Sequence, residues 1–167
     1  MCGIAGLWVR AGAMPAPALS AAAEAMGGAL WRRGPDSAGL WADPEAGIAL
    51  AHRRLAVVDL SDAGAQPMAS ACGRYVLSYN GEIYNHAALR RELDAAAPRD
   101  WRGHSDTETL LALIASVGLE AALQRCVGAF ALALWDRQAR VLQLARDRLG
   151  EKPLYYGWSQ GRLLFGS

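Results

Sequence analysis

The residue whose chemistry stands out is Cys2, which directly follows the initiator methionine. If Met1 is removed, which the small Cys2 side chain permits, a thiol and a free α-amine lie on one residue. An α-amine has an ordinary pKa of roughly 7.7–8.0, so near neutral pH it can accept the thiol proton and later protonate a leaving group. A peptide-bonded nitrogen has no basic lone pair, so this chemistry requires removal of Met1. By itself, Cys2 is also consistent with a small apolar residue that begins a strand.

Seven further motifs follow Cys2 along the whole chain. In order, the eight are Cys2-Gly3-Ile4-Ala5-Gly6, Arg33-Gly34-Pro35-Asp36, His52-Arg53-Arg54-Leu55, Ala65-Gln66-Pro67-Met68, Tyr79-Asn80-Gly81-Glu82-Ile83-Tyr84-Asn85, Ser105-Asp106-Thr107-Glu108, Gly128-Ala129-Phe130-Ala131 and Ala145-Arg146-Asp147-Arg148-Leu149-Gly150-Glu151-Lys152-Pro153-Leu154-Tyr155-Tyr156. Together they resemble the glutaminase domain of glutamine-hydrolysing asparagine synthetases. That domain is a class II glutamine amidotransferase with the N-terminal nucleophile hydrolase fold. The Arg-Gly-Pro-Asp and Lys-Pro-Leu-Tyr-Tyr segments favour this branch over the purine-pathway and glucosamine-pathway amidotransferases.

The resemblance implies hydrolysis of the side-chain amide of L-glutamine to glutamate and ammonia, with Cys2 as the nucleophile. Attack on the amide places negative charge on its oxygen, where an Asn side chain and a neighbouring backbone N–H can converge. Asn80 and Gly81 match the family's pair at that position. As an isolated dipeptide, Asn80-Gly81 instead favours positive φ and a tight turn after a strand.

Recognition of glutamine's zwitterionic end calls for a guanidinium on the carboxylate and a carboxylate on the ammonium. By resemblance, Arg54 and Asp106 fill these positions, although strand alternation leaves Arg53 as a competitor for Arg54. Alternatively, Asp106 could have only a structural role, in which its negative charge stabilises the N-terminus of the helix that it begins. The family further implies backbone contacts from the segment Leu55, Ala56, Val57 and Val58, with Glu82 beside the oxyanion pair.

Several other polar and aromatic residues are interpreted as structural. The N-terminal amine makes a separate base unnecessary, so none of His52, His86 and His104 is expected to be catalytic. We expect charge pairs around the site from Arg32, Arg33, Asp36 and Asp147, and we place Tyr155, Tyr156 and the tryptophans in the core. Cys72 and Cys126 are interpreted as structural or incidental.

Composition narrows the class of protein. Hydrophobic residues make up 53% of the 167 residues and charged residues 20%, which is typical of a globular domain with a real core. The formal net charge of +1 gives no reason to expect nucleic acid, and no apolar run suggests a membrane span or a secretory signal. Three widely spaced cysteines argue against a disulfide framework and favour a reducing cytoplasm.

The elements that must position these residues run from strands to helices and back to strands. Strands are predicted at 4–9, 48–58 and 75–79, and helices at about 15–30, after Asn85, after the capping box Ser105-Asp106-Thr107-Glu108 and at 119–126. Two hairpins follow, with strands at 129–135 and 141–145, then at 154–158 and 163–166. This order predicts an α+β fold with mostly antiparallel sheets. The resemblance implies an αββα sandwich, with two such sheets between helical layers.

The chain stops directly after a strand, so we expect residues 2–167 to be one glutaminase domain of a longer protein. The resemblance implies a C-terminal ATP-dependent synthetase domain as partner. That domain's phosphate-binding loop is absent here, so ATP and magnesium are expected only there, and no metal or cofactor here. The ammonia would then amidate aspartate to asparagine, or another carboxylate such as a sugar acid. A homodimer is a further option, and a non-catalytic structural half of a synthetase-like protein is the alternative to an enzyme.

Overall fold

Nine strands and four helices alternate unevenly along the chain. The computed structural model describes all residues, Met1–Ser167. The strands are β1 Gly3–Trp8, β2 Ser37–Asp43, β3 Ile48–Arg54, β4 Met68–Ala69, β5 Tyr75–Ile83, β6 Gly128–Asp136, β7 Val141–Arg146, β8 Tyr155–Ser159 and β9 Arg162–Gly166. The helices are α1 Ala16–Ala29, α2 His86–Ala96, α3 Asp106–Val117 and α4 Leu119–Arg125, with short 3₁₀ turns at Trp31–Arg33 and Asp62–Gly64.

The strands form two sheets in which every pairing is antiparallel. One sheet has five strands in the order β2-β3-β1-β9-β8, and the other has four in the order β4-β5-β6-β7. Strand β1 is the central strand of the larger sheet, where Ala5 pairs with Ala51 on one side and Gly166 on the other. Cys2 therefore lies just before the most enclosed strand of that sheet.

Three apolar clusters separate four layers. The first packs α1 on the larger sheet and includes Leu19 of α1 and Leu7 of β1. The second lies between the two sheets and includes Ile48 and the fully buried Trp135. The third and largest packs α2, α3 and α4 on the smaller sheet and includes Leu113. The order helix, sheet, sheet, helix is the αββα sandwich expected of an α+β fold. No helix in the chain is both long and apolar enough to cross a membrane.

The predicted elements agree with the structure except in the first half. Strands β2 and β4 were not predicted, and β3 ends at Arg54 instead of continuing to residue 58. Strand β5 is predicted to end at residue 79 but extends to Ile83, so the alternative of a tight turn at Asn80-Gly81 does not form. Pairing with β6 overrides the turn propensity, and Gly81 is not among the residues with positive φ. A Cβ on Gly81 would clash with the Phe130 Cα, at 2.7 Å, so the absence of a side chain at Gly81 allows β5 and β6 to approach closely.

The predicted helix caps form only in part. The Ser105 side chain accepts a hydrogen bond from the Glu108 N–H at 3.2 Å, as a capping box requires. The Glu108 carboxylate, however, accepts from the backbone N–H groups of Arg102 and Gly103, and not from Ser105. Asn85 precedes α2 but does not cap it with its side chain, which instead bonds the backbone near the end of α4.

The prediction that Tyr155, Tyr156 and all tryptophans lie in the core is wrong for several of them. Tyr155, Tyr156 and Trp158 are each 72% exposed, because β8 is an outer strand with a neighbour on one side only. Trp31 is also exposed, at 55%. Only Trp135 is fully buried, in the cluster between the sheets.

Candidate functional site

A cleft of about 190 Å³ opens where β1, β3, β5 and the start of α3 meet. Nine of the ten residues predicted for the site line it: Cys2, Arg54, Leu55, Val57, Val58, Asn80, Gly81, Glu82 and Asp106. Ala56 does not line the cleft, and its N–H donates to the carboxylate of Asp36, which is also outside the lining, at 2.9 Å. Tyr79, Gln66, Asp59, Gly64 and Lys152 are among the remaining lining residues.

The Cys2 thiol is partly exposed in this cleft and is held by one backbone segment. The Leu55 N–H donates to Cys2 Sγ at 3.4 Å, and the Leu55 carbonyl oxygen lies 3.6 Å from Sγ. These two contacts place the sulfur at the end of β3, beside the loop that follows Arg54. No histidine is a hydrogen-bond partner of the sulfur.

Asn80 and Gly81 present unused hydrogen-bond donors to the cleft. Asn80 is 2% exposed, yet its Nδ2 has no partner, whereas buried polar atoms are nearly always hydrogen-bonded. The Tyr79 N–H bonds the Gln66 side chain and the Ile83 N–H bonds Asp106, both on the edge of β5 away from β6. Because N–H groups of alternate residues share an edge, the Gly81 N–H points the same way, between those two. Strand β5 therefore brings two donors without partners in the chain to the lining of this cleft.

Arg54 and Arg53 point in opposite directions, as strand alternation requires. The Arg54 guanidinium is buried under the loop after β3, where Nη1 donates to the Ser61 carbonyl at 2.8 Å and Nη2 donates to the Asp59 carbonyl. It packs against Gly64, whose lack of a Cβ makes room for it. Arg53 instead donates from Nε to the Gly27 carbonyl at 3.2 Å, at the end of α1. Arg54 is thus the arginine that lines the cleft.

The loop that Arg54 supports is fixed by a buried carboxylate, Asp59. Its side chain accepts from the Ser61 hydroxyl at 2.6 Å and from the His104 N–H at 2.9 Å. These two hydrogen bonds lower the pKa of Asp59 to about 2. The His104 ring lies mostly in solvent, with Nε2 3.0 Å from the Val58 carbonyl oxygen. The loop 55–64 is therefore tied to β3 on one side and to the start of α3 on the other.

Asp106 is held by one of its two carboxylate oxygens. Its Oδ2 accepts from the Tyr79 hydroxyl at 2.8 Å and from the Ile83 N–H at 2.9 Å. The other oxygen, Oδ1, makes no hydrogen bond within the chain. Burial and the neighbouring Asp106 carboxylate raise the pKa of Tyr79 well above its ordinary value, so the phenol stays a donor. The carboxylate is anchored, with one oxygen free for a cationic ligand.

His52 is a buried side chain between the sheets. Its Nε2 lies 3.0 Å from the Tyr79 carbonyl oxygen, which can only accept, so Nε2 carries the proton. Burial lowers the pKa of His52 to about 4, which keeps the ring neutral near pH 7. This arrangement supports the backbone of β5 just before Asn80, and does not contact Cys2.

The charge pairs expected of Arg32, Arg33, Asp36 and Asp147 do not form, and that prediction is wrong. No ion pair in the chain includes any of the four. The two carboxylates serve backbone N–H groups: Asp36 binds that of Ala56, and Asp147 binds four from β6 and its own loop. Burial raises the pKa of Asp147, but these four donors outweigh it and hold the pKa below its ordinary value.

Sequence reasoning missed several cleft residues, among them Gln66, Tyr79, Gly64 and Lys152. The Gln66 side chain joins the Tyr79 N–H to the Thr107 hydroxyl, so it ties β5 to α3 under the cleft. Gln66 and Tyr79 lie inside motifs, and Lys152 is the only lysine of the chain, so a signal existed for three of them. Nowhere in the chain do three or more His, Cys, Asp or Glu residues converge as metal ligands would.

Comparison with known proteins decides the family. A family model described as a glutamine amidotransferase domain matches residues 1–167. The chain belongs to this family. Over 145 residues it is 41% identical to an asparagine synthetase (glutamine-hydrolysing) 3 of Bacillus subtilis, an alignment that covers 83% of the chain and 22% of the relative. It is 42% identical to asparagine synthetase B of Escherichia coli over 133 residues, covering 80% and 23% respectively.

Not every relative of this amidotransferase domain carries the name of a synthetase. An amidase, chry2, of Gibberella zeae is 34% identical over 171 residues, which cover 98% of the chain and 25% of the relative. The chain therefore spans about a quarter of the length of these three relatives. A solved glutamine phosphoribosylpyrophosphate amidotransferase of B. subtilis matches 98% of the chain and 41% of its own, with a TM-score of 0.77 at 20% identity. That match confirms the N-terminal nucleophile hydrolase fold.

Proposed function

We propose that this domain hydrolyses the side-chain amide of L-glutamine to L-glutamate and ammonia through a thioester on Cys2. The observation that carries the proposal is the buried Asn80 Nδ2, which has no partner and lies in the same cleft as the Cys2 thiol. A buried amide without a partner costs about 1–3 kcal/mol. A substrate oxygen that gains negative charge would supply the acceptor that this amide lacks.

The reaction is written for Cys2 as the first residue, after removal of Met1. The α-amine takes the thiol proton, and the sulfur attacks the amide carbon to give a tetrahedral oxyanion. The Asn80 Nδ2 and the Gly81 N–H donate to that oxyanion. The protonated amine then gives its proton to the leaving nitrogen, and ammonia departs as the thioester forms. Water, deprotonated by the same amine, adds to the thioester, and glutamate leaves as the thiol is restored.

The remaining cleft residues suit the two charged groups of glutamine. Asp106 Oδ1, the oxygen without a partner, would accept from the substrate ammonium. Arg54 would attract the carboxylate, although two of its N–H groups already hold the loop carbonyls of Asp59 and Ser61. The exposed side chains of Leu55 and Val57 form the rim over which the substrate enters. This pairing of charges selects an amino acid over a simple amide.

The ammonia would be consumed in a partner domain. Relatives named as asparagine synthetases are about four times longer than this chain, which supports an ATP-dependent synthetase domain that amidates aspartate. Because one relative is named as an amidase, amidation of a carboxylate other than that of aspartate, such as a sugar acid, stays an alternative. We infer that ATP and magnesium act only in that partner, and that the protein works in the cytoplasm, where its three free cysteines would stay reduced. A homodimer stays a prediction.

The test is a glutaminase assay on protein whose intact mass shows that Met1 has been removed. We expect glutamate release from L-glutamine, abolished in Cys2→Ala and lowered by about 10²–10³ in kcat in Asn80→Ala, because one oxyanion donor is lost. Cys72→Ser, which changes an exposed thiol outside the cleft, is the matched control and should retain activity. Normal turnover by Cys2→Ala would refute the mechanism. An inactive but folded and processed wild type would favour the non-catalytic role.

A further inference from the structure

Lys152 is a cation in the cleft for which the proposed reaction has no role so far. It is partly buried and is the only lysine in the chain. Its Nζ lies 3.4 Å from the Met1 Sδ, and the side chain lines the same cleft as Cys2. The residue whose removal would free the Cys2 amine is therefore the residue that Lys152 touches.

The backbone of Lys152 is held firmly in place by Asp147. The Lys152 N–H donates to Asp147 Oδ2 at 3.0 Å, and the same oxygen accepts from the Phe130 N–H of β6 at 3.1 Å. The N–H groups of Leu149 and Glu151 bind the other oxygen. One carboxylate thus fixes the loop 147–152 to the sheet, which sets where the lysine side chain begins.

No carboxylate neutralises the Lys152 ammonium. The ionisable side chains that line the cleft are Cys2, Arg54, Asp59, Tyr79, Glu82, Asp106 and Lys152. Asp59 binds Ser61 and His104, while Asp106 binds Tyr79 and Ile83 through one oxygen. Glu82 is exposed and makes no hydrogen bond, and no ion pair within 4.0 Å includes Lys152. The ammonium is therefore an unpaired positive charge in the cleft that Cys2 also lines.

We propose that Lys152 is a positioning residue that tunes Cys2 electrostatically in the processed protein. Its positive charge disfavours protonation of the neighbouring α-amine and favours the thiolate and the oxyanion that forms from it. The first effect enlarges the fraction of neutral amine near pH 7, and the other two stabilise the anions that form during attack. The proposal rests on the glutaminase reaction for its kinetic consequence, but its effect on the Cys2 thiol does not require turnover.

The experiment compares Lys152→Met, which keeps the length of the side chain without its charge, with Lys152→Arg, which keeps the charge. Both are made in processed protein, and kcat/KM for L-glutamine is measured from pH 5.5 to 9. For the loss of one positive charge from the cleft we expect Lys152→Met to lose about tenfold in kcat/KM near pH 7, and the acid limb of its pH profile to lie about half to one pH unit higher. Lys152→Arg should restore the position of the acid limb.

A second measurement separates this idea from the proposed function. Alkylation of Cys2 by iodoacetamide is followed against pH by peptide-resolved mass spectrometry, with the exposed Cys72 as an internal control. The Cys2 midpoint should rise in Lys152→Met and return in Lys152→Arg, while that of Cys72 stays constant. Unchanged Cys2 midpoints in both variants would overturn the role of Lys152, even if glutamine is hydrolysed. A shifted midpoint in a protein that hydrolyses no glutamine would instead reject the proposed function alone.

Discussion

The substitution His52→Gln separates a structural role of this histidine from a catalytic one. The His52 ring is 1% exposed and donates from Nε2 to the Tyr79 carbonyl. A glutamine amide has a similar length and can donate to the same oxygen, but it does not titrate. The change therefore keeps the support beneath β5 and removes only the ability to bind a proton.

The size of the expected change in the free energy of unfolding follows from the pKa of His52 in the folded and unfolded states. An unfolded histidine has a pKa of about 6.5, and burial lowers the folded value to about 4. Between these values the unfolded chain binds more protons, so the free energy of unfolding falls as pH decreases. The penalty is absent above pH 6.5 and reaches about 2.5 kcal/mol at pH 4.5. Removing the titrating group should remove that part of the acid sensitivity.

The assay is urea unfolding at pH 7.0 and pH 4.5. His52→Gln should lose about 2.5 kcal/mol less than the wild type between these two pH values, and its glutaminase pH profile should keep the wild-type shape. An acid loss in His52→Gln equal to that of the wild type would refute the assignment of a buried neutral ring.

Two further substitutions test how the cleft is held. Tyr79→Phe removes the hydroxyl that donates to Asp106 at 2.8 Å, so we expect a loss of about 1.5–3 kcal/mol in urea unfolding and a raised KM for glutamine with a smaller change in kcat. Gly64→Ala places a Cβ against the Arg54 guanidinium, so the KM for glutamine should rise about tenfold. Gly28→Ala is the control, because a Cβ at Gly28 meets no atom within 4 Å. It should leave KM unchanged and stabilise α1 by about 0.5–1 kcal/mol. An unchanged KM in Gly64→Ala would show that the Arg54 guanidinium can move without loss of binding.

Elements with a strong local signal could be predicted from the sequence. Leu19 and Ala23 recur at helical spacing and are fully buried beneath α1, as the pattern requires. The hairpin β6-β7 carries long apolar runs on either side of a short turn. Strand β2 lacked such a signal, because it is an outer strand with a mostly half-exposed face and one central glycine. Its position comes from pairing with β3, a contact that no local pattern encodes.

The candidate site likewise contains residues that motifs predicted and contacts that only the fold shows. Cys2, Asn80 and Asp106 stand in motifs and lie in one cleft. The bond from Tyr79 to Asp106 could not be predicted, because it depends on how α3 packs on β5. At Asn80-Gly81 the local preference for a turn is overridden by tertiary pairing, since both residues continue strand β5 and pair with β6. Local patterns therefore identified residues that share the cleft, whereas the groups that hold them emerged only from the fold.

Some polar atoms of the cleft are already hydrogen-bonded within the chain, and the others remain available to a substrate. Asp59 and Asp147 are occupied by N–H and O–H donors of the chain, so neither can bind a ligand without releasing a loop. Asp106 Oδ1, Asn80 Nδ2 and the Lys152 ammonium have no such strong partner. An acceptor for a cationic group, a donor for an oxyanion and a cation in the same cleft as a thiol are the groups that the proposed attack on the glutamine amide would use. The carboxylates fixed by the backbone hold the loops that carry these free groups, so under the proposed function we expect Asp59 and Asp147 to affect catalysis without touching substrate.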